Sequence, residues 1–279
     1  MSIALQVHPS RITDEMLSER IFPALDGLGL EHYVLPRNHD DTVALEPDTD
    51  YILALGGDGT FLHGARLAVR HDVPIIGVMV GRLGFLCGTT LEAMGSSVAD
   101  IQNGQMPVEL HHVLNGRIVN GDETRYEQVA LNDVVVFRSD TEKLRDLQAY
   151  DNGELIAHYR ADGIILATAL GSTAYTMSAG GPLVHPSLEL IILTPICAHS
   201  LFTKPLVLPP GHQIEIVGEE SSYPLTVSFD GNFLYPLHDG DKLVVSSDDR
   251  KLKIYRPTEY DFYEVLQRKF QHGYVYGKD

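Results

Sequence analysis

The stretch YILALGGDGT, residues 51–60, decides the fold of this chain. Its first five residues form a short apolar run of the kind that forms a buried strand, and Phe61, Ala65 and Ala68 then recur at helical spacing. Glycines at a strand-to-helix turn let the backbone approach a phosphate group and point N–H donors at it. Asp58 would repel that phosphate unless a cation or a hydroxyl lay between them. The turn therefore predicts a phosphate-binding site built around a carboxylate.

Strands alternate with helices on both sides of this turn. Residues 3–7, 51–55 and 74–78 are predicted strands, and residues 12–28 form a predicted helix with Thr13 as its N-cap. This alternation predicts an N-terminal α/β domain, residues 1–100, with a parallel, Rossmann-like sheet. Since open α/β sheets bind ligands at the carboxyl ends of their strands, we expect the glycine-crowded loop 77–85 and the Asp58 turn to face one crevice.

Short β-type runs dominate the rest of the chain. Strands are predicted at 134–137, 213–217 and 242–245, and hairpin turns at Asn152-Gly153 and Asp230-Gly231. The pattern predicts an all-β, mainly antiparallel, sandwich-like C-terminal domain at residues 101–257. A tail, residues 258–279, carries an amphipathic helical pattern from 258 to 272, and we expect it to pack back on the first domain.

Composition excludes several classes of function. A net charge of −17 argues against a general binder of nucleic acid or of anionic membranes. The apolar runs are shorter than a membrane span, and the N-terminus lacks the basic region of a signal peptide. Cys87 and Cys197 are the only cysteines, as expected for reduced thiols in the cytoplasm. The 13 histidines show no metal-ligand spacing.

Other nucleotide signatures are missing or incomplete. The P-loop motif is absent, and residues 57–62 begin like a dinucleotide fingerprint but end in leucine, so hydride transfer is disfavoured. A second cluster, residues 162–182, leads from a strand into Gly171-Ser172-Thr173 and then into a short helical stretch. Hydroxyls at a helix start suit a polar ligand, but capping and turn formation explain Ser172 and Thr173 as well.

Taken in order, these motifs resemble those of the bacterial NAD kinases. A GGDG turn alone also occurs in lipid kinases and phosphofructokinases, whereas the whole series is specific. The matching segments are residues 56–60, 83–85, 131–133, 160–163, 171–175, 180–182, 185–186, 199–201, 205–208 and 230–231. The resemblance implies an enzyme that transfers a phosphoryl group from ATP, with Mg²⁺, to the adenosine-ribose 2′-hydroxyl of NAD. It further implies a cleft formed by both domains and a homodimer or homotetramer.

The resemblance also assigns the site residues. Asp58 is the expected catalytic residue, which orients the acceptor hydroxyl and takes its proton. Asn132 would contact the adenine edge or an amide, and Asp133 would accept from ribose hydroxyls. No metal-binding residue is expected. The substrate-binding residues that the resemblance implies are Gly57, Asp58, Gly59, Thr60, Phe85, Asn132, Asp133, Lys143, Arg160, Asp162, Thr173, Ala174, Tyr175, Thr176, Met177, Ser178, Asp230 and Asn232.

The chain departs from the family pattern at five positions. Asp133 replaces the usual Glu, Ala169 a Pro, Leu170 a Thr, Lys204 an Arg and Asn232 a Gln. None of these changes removes the central carboxylate.

Two other functions and several structural roles stay open at this point. A lipid kinase would share the GGDG turn, and a non-catalytic dinucleotide sensor would keep the cleft. Asp58 would alternatively cap the next helix, Asp230 and Asn232 would serve turn chemistry, Tyr175 would pack in the core, and Lys143 would be a solvated lysine.

Overall fold

The fold consists of two compact units in a computed structural model that describes residues 1–37, 43–81, 84–139, 144–199, 203–219 and 225–273. The first unit comprises Met1–Leu110 and the segment from Leu252 onward, and the second comprises His111–Lys251. These boundaries differ from the predicted ones at residues 100 and 257. Ile101 and Met106 explain the shift at the first boundary, because both are buried in the core of the first unit.

The first unit has the predicted parallel α/β architecture. Its elements are β1 (Ser2–Val7), α1 (Asp14–Met16), a π-helical turn (Leu17–Ile21), α2 (Phe22–Asp26), β2 (Glu31–Val34), β3 (Thr49–Gly56), α3 (Asp58–His71), β4 (Ile75–Met79), β5 (Thr89–Thr90) and α4 (Met94–Gln102). The strands pair in the order β2-β1-β3-β4-β5, and every pair is parallel. Apolar residues of α1, α2 and α4 share a core with one face of β3, whereas Gly64 of α3 lies against Ile52 and Ile75.

The helix predicted over residues 12–28 is divided into three short pieces. Thr13 caps it as expected, since its hydroxyl accepts a hydrogen bond from Met16 N at 3.1 Å. The π-helical turn directly precedes Phe22-Pro23, where Pro23 lies in the first turn of α2. Proline has no N–H to donate and crowds the preceding turn, which accounts for the local widening.

The second unit is a β-sandwich. Its strands are β6 (Val108–Asn120), which starts in the first unit, β7 (Glu123–Ala130), β8 (Asp133–Arg138), β9 (Arg145–Asp151), β10 (Glu154–Ala161), β11 (Gly163–Ala167), β12 (Ile191–Ile196), β13 (Leu206–Leu208), β14 (Ile214–Gly218), β15 (Leu225–Phe229), β16 (Phe233–Leu237) and β17 (Lys242–Tyr255). One sheet has the antiparallel order β13-β12-β11-β8-β15-β16, and β10-β9-β14-β17 lie in the other. Alternate residues of the first sheet face a shared core, as Val134 and Val136 do while Val135 faces away.

Both predicted hairpin turns are confirmed. Asn152 and Gly153 have φ angles of 49° and 83°, and Asp230 and Gly231 have φ angles of 48° and 73°. Two consecutive positive φ values match the twist of the flanking strands, which is why Asn-Gly and Asp-Gly are favoured there. The hairpin of β6 and β7 was not predicted.

A helical tail follows β17. Ile254 of β17 pairs with Ile75 of β4 inside the first unit. Helix α6 (Phe262–Gly273) begins later than the predicted residue 258, and two short helical pieces, a 3₁₀ turn (Leu170–Thr173) and α5 (Tyr175–Ser178), occur in the second unit. No helix in the described ranges is both long and apolar enough to cross a membrane.

Candidate active site

Asp58 is held by the loop that follows β4. The residue opens α3, where the helix dipole favours a negative charge. Its Oδ2 accepts a hydrogen bond from Phe85 N at 3.0 Å, and its Oδ1 accepts one from Leu86 N at 3.1 Å. The carboxylate is therefore bound to a neighbouring loop and fixed at both oxygens.

Gly84 makes this arrangement possible. A Cβ atom at this position would lie 1.9 Å from Asp58 Oδ1, closer than any side chain tolerates. The loop is in turn fixed by the tail, because the Tyr260 hydroxyl donates to Phe85 O at 2.9 Å and Arg256 Nη1 donates to Leu86 O at 2.8 Å. The sequence marked this loop as rich in glycine but did not identify its contact with Asp58.

A cleft of about 410 Å³ surrounds the Asp58 turn in the first unit. It brings together four predicted residues, Gly57, Asp58, Gly59 and Thr60, and six that were not predicted, His8, Pro9, Arg11, His63, Gly84 and Lys269. Arg11 is anchored by a 3.2 Å hydrogen bond from Nη1 to Val80 O, and Lys269 Nζ lies 5.1 Å from the centre of the Phe85 ring. Two cations beside a glycine turn suit a phosphate chain.

A second cleft, of about 580 Å³, lies within the second unit. It brings together the predicted residues Asn132, Asp133, Asp162, Ala174, Tyr175 and Asp230. It is also lined by Val135, Phe137, Arg138, Ile196, Ser228 and Gly231, which were not predicted. Apolar walls with a few converging polar groups are typical of a small-molecule site.

Charged groups in this second cleft are paired or buried. Arg138 Nε donates to Asp162 Oδ1 at 2.9 Å. The Asp230 carboxylate accepts backbone hydrogen bonds from Leu131 at 3.0 Å, Asn132 at 2.7 Å and Asp133 at 3.2 Å. Asp230 therefore fixes the backbone that presents Asn132 and Asp133, in addition to its place in the hairpin turn.

Two polar groups of this cleft are unusual: the Asp133 carboxyl has a raised pKa, and the Asn132 side-chain oxygen lacks a hydrogen-bond partner among the described residues. Burial, followed by the nearby Asp230 carboxylate, raises the pKa of Asp133 to about 7. The Oδ1 atom of Asn132 is buried and has no hydrogen-bond partner among the described residues. Such an acceptor is costly unless a ligand or water satisfies it.

Comparisons with known proteins identify the family of this chain. Residues 6–106 match the family model of the ATP-NAD kinase N-terminal domain, and residues 131–257 match that of the ATP-NAD kinase C-terminal domain. The chain is 39% identical over 231 residues to the NAD kinase of Thiobacillus denitrificans, which covers 82% of this chain and 79% of that protein. The chain belongs to the NAD kinase family. The predicted resemblance is thereby confirmed.

Other relatives support the same family and fold. The NAD kinase of Nitrosomonas eutropha is 36% identical over 248 residues, covering 88% of this chain and 83% of that protein. An NAD kinase from Archaeoglobus fulgidus, solved in complex with ATP, has a TM-score of 0.78 and 27% identity and covers 97% of this chain and 99% of its own. Yeast NADH kinase complexed with NADH has a TM-score of 0.83 at 24% identity, covering 100% of this chain and 89% of its own, and shares the fold.

Several expected NAD kinase site residues line neither cleft. Phe85 supports Asp58 through its backbone N–H. Thr176 is fully buried, and the Thr173 hydroxyl donates to Leu170 O at 3.1 Å. Arg160, Met177, Ser178 and Asn232 are exposed, and Lys143 lies outside the described residues. Ligand contacts of this set stay predictions.

Proposed function

We propose that this protein transfers the terminal phosphoryl group of ATP to the adenosine-ribose 2′-hydroxyl of NAD and thereby produces NADP. Membership of the NAD kinase family supports this reaction, and no observation favours a lipid kinase or a non-catalytic sensor. The observation that carries the residue assignment is the Asp58 carboxylate, which two backbone N–H groups hold in a cleft with two cations.

Asp58 acts on the acceptor hydroxyl. Each of its oxygens accepts one backbone hydrogen bond and keeps a lone pair that can accept a second. A carboxylate is a weak base toward an alcohol, but in a loose phosphoryl-transfer transition state the proton leaves late. Asp58 therefore orients the hydroxyl first and accepts its proton as the new O–P bond forms.

Arg11 and Lys269 neutralise the donor phosphates. Both line the cleft around Asp58, and the N-terminus of α3 adds backbone N–H groups at Gly57 and Gly59. This arrangement would hold the phosphoryl group in line with the hydroxyl while offsetting the repulsion from Asp58.

A divalent cation fits this site as a companion of ATP. Asp58 is the sole carboxylate among the described residues that line the cleft, and the described chain has no group of three or more His, Cys, Asp or Glu side chains placed to hold a metal ion. Mg²⁺ keeps several waters and binds through substrate phosphates and one or two carboxylates, and it supplies charge neutralisation on the phosphoryl oxygens.

The second-unit cleft binds NAD in this proposal. The unsatisfied Asn132 Oδ1 supplies an acceptor for an amino group, and the Tyr175 ring, 46% exposed, supplies a flat surface for stacking. Asp133, Asp162 and Asp230 line the same cleft.

We also propose a homodimer or homotetramer in the cytoplasm. Val207 on β13 and Leu234 on β16 are exposed, and these strands form the two edges of the six-stranded sheet. Edge strands with exposed apolar side chains are suited to pairing between copies. Light scattering behind a sizing column measures the mass; a monomer at micromolar concentration would contradict the assembly.

The reaction is tested by incubating the protein with ATP, Mg²⁺ and either NAD or diacylglycerol. NADP should form, and phosphorylated diacylglycerol should not. Tight NAD binding without NADP would instead identify a sensor.

Asp58→Asn tests the catalytic residue. We expect kcat to fall by about 10²–10⁴-fold, since general-base assistance and positioning are lost, with NAD affinity within about threefold of wild type. Both oxygens of Asp58 accept backbone N–H groups, from Phe85 and Leu86. In the Asn variant, the side-chain NH₂ group would therefore point at one of these N–H donors, which costs stability. Thermal unfolding must therefore accompany the kinetics.

Asp72→Asn is the matched control at the other end of α3. Asp72 is exposed and has a φ angle of 55°, a conformation that Asn adopts readily, so the variant should keep full turnover. NADP formation by Asp58→Asn at a near-normal rate would contradict the role of Asp58 as the catalytic residue.

A further inference from the structure

Two buried aspartates of the second-unit cleft, Asp133 and Asp230, lie where β8 meets the β15–β16 turn. Asp133 is 4% exposed and Asp230 is 9% exposed, and Asp230 N donates to Asp133 O at 2.9 Å. Taking a carboxylate out of water is costly unless hydrogen bonds or cations compensate for the lost hydration. Two adjacent buried carboxylates repel each other as well, so one of them tends to keep its proton.

The hydrogen bonds distinguish the two groups. Asp230 accepts N–H groups from Leu131, Asn132 and Asp133, which stabilise its ionised form. The backbone N–H of Asp133 thus stabilises the Asp230 carboxylate and not its own side chain. Within the described part of the chain, the Asp133 carboxyl itself has no hydrogen bond or ion pair, and it lines the second-unit cleft.

Other titratable groups of the cleft do not supply a counter-charge to Asp133. They are Arg138, Asp162 and Tyr175, contributed by the end of β8, the segment before β11 and α5. Arg138 is engaged by Asp162 at 2.9 Å. Burial raises the pKa of Tyr175, so its ring hydroxyl stays neutral.

We propose that Asp133 binds NAD as a neutral carboxylic acid, donating its proton in a hydrogen bond to an acceptor atom of the dinucleotide. This inference rests on the proposed function. It replaces the expectation that Asp133 acts as an ionised acceptor toward ribose hydroxyls. A neutral acid at this point avoids adding a negative charge beside an anionic ligand, and Asn132 next to it supplies the complementary acceptor.

The proton has a direct consequence for stability. The pKa of Asp133 is about 7 in the folded protein against an ordinary value of 3.8, so the folded state keeps a proton that the unfolded chain loses between these two pH values. The contribution of Asp133 to stability is therefore complete below pH 3.8 and disappears as the pH rises through 7.

Asp133→Asn tests both halves of the inference. The amide is neutral at every pH and can still donate a hydrogen bond. In thermal unfolding of the ligand-free protein, the unfolding temperature of Asp133→Asn relative to wild type should increase as the pH rises from 5 to 8. The variant Asp239→Asn removes a carboxylate from an exposed position of the same unit and should show no such trend. A constant difference between Asp133→Asn and wild type would overturn the neutral state, whatever the protein binds.

Calorimetric titration with NAD, without ATP, tests the donor role. Wild-type affinity should be constant below pH 6.5 and about tenfold weaker at pH 8, since about a tenth of Asp133 keeps its proton there. Asp133→Asn should bind within about threefold of wild type at pH 6 and show no pH dependence. Flat wild-type affinity together with a tenfold loss in Asp133→Asn would show that Asp133 binds as an anion and overturn the proposal. Wild type that does not bind NAD would overturn the proposed function and the donor role, while the unfolding experiment would still decide the neutral state.

Discussion

At the scale of single residues, the absence of a side chain at Gly84 matters as much as the presence of Asp58. Replacing the hydrogen of Gly84 by a methyl group would bring a carbon to 1.9 Å from Asp58 Oδ1. The carboxylate or the loop must then move, and displacements near 1 Å at a reacting group cost about 10²-fold in rate.

Gly84→Ala should therefore lower kcat by about 10²-fold, with NAD affinity close to that of wild type. Steady-state kinetics and a calorimetric NAD titration measure the two effects. Gly95→Ala serves as the control, because a Cβ atom added there would meet nothing within 4 Å and the φ angle of Gly95 is ordinary. Unchanged turnover in Gly84→Ala would mean that the position of Asp58 does not limit the reaction.

The sequence predicted Asp58, Asn132, Asp133 and Asp162 because each lies in a short local motif. Arg11, Arg138 and Lys269 were not predicted. Local spacing carries no signal for Arg11 and Lys269, which only the tertiary fold brings to the same cleft.

At the scale of elements, the β15–β16 hairpin turn acts on the strand beside it. Asp230→Asn would replace an acceptor of three backbone N–H groups by an amide that opposes them with donors of its own. We expect a loss of about 1.5–3 kcal/mol in the free energy of unfolding, the range for hydrogen bonds to a charged group.

Urea denaturation measures this loss, and Asp239→Asn again controls for the removed charge. A stability equal to wild type would show that the three backbone hydrogen bonds contribute nothing net. The turn itself was predictable from Asp-Gly, whereas its hydrogen bonds to Leu131–Asp133 depend on strand order and were not.

The tail before α6 is the other element with a remote effect. Tyr260→Phe removes the hydroxyl that donates to Phe85 O at 2.9 Å. We expect a cost of about 1 kcal/mol in stability and a several-fold decrease in kcat, because the loop that holds Asp58 loses one of its fixed points. Tyr235→Phe, which removes a tyrosine hydroxyl from β16 in the second unit, should leave kcat unchanged. Equal effects of both variants on kcat would contradict a specific role for Tyr260.

At the scale of the whole molecule, the net negative charge destabilises the folded state. A net charge of −17 repels itself, and salt screens this repulsion. Raising NaCl from about 20 to about 200 mM should raise the unfolding temperature by about 2–4 °C, which corresponds to about 1 kcal/mol for a chain of this size. Differential scanning calorimetry measures the change, and a fall in the unfolding temperature would show that specific ion pairs outweigh the net repulsion.

The α/β class of the first unit and the β class of the second were predictable from the sequence. Both depend on the spacing of apolar residues and on turn residues, which are local properties of the chain. The unit boundaries were not predictable, since β6 and β17 each begin in one unit and end in the other. A strand that continues through a boundary gives no break in its own pattern. The π-helical turn at Leu17–Ile21 was likewise not predictable from the sequence, because a widened turn keeps nearly the same spacing of apolar residues as an α-helix.

The first unit is discontinuous along the chain, and this affects the order of events during synthesis. Residues 111–251 leave the ribosome as one stretch, so the sandwich can fold as soon as it emerges. The α/β unit must wait for the segment from Leu252, which supplies Arg256 and Tyr260 to the loop beside Asp58. A nascent chain can therefore hold a complete second-unit cleft before the loop beside Asp58 has received its two contacts from the C-terminal segment.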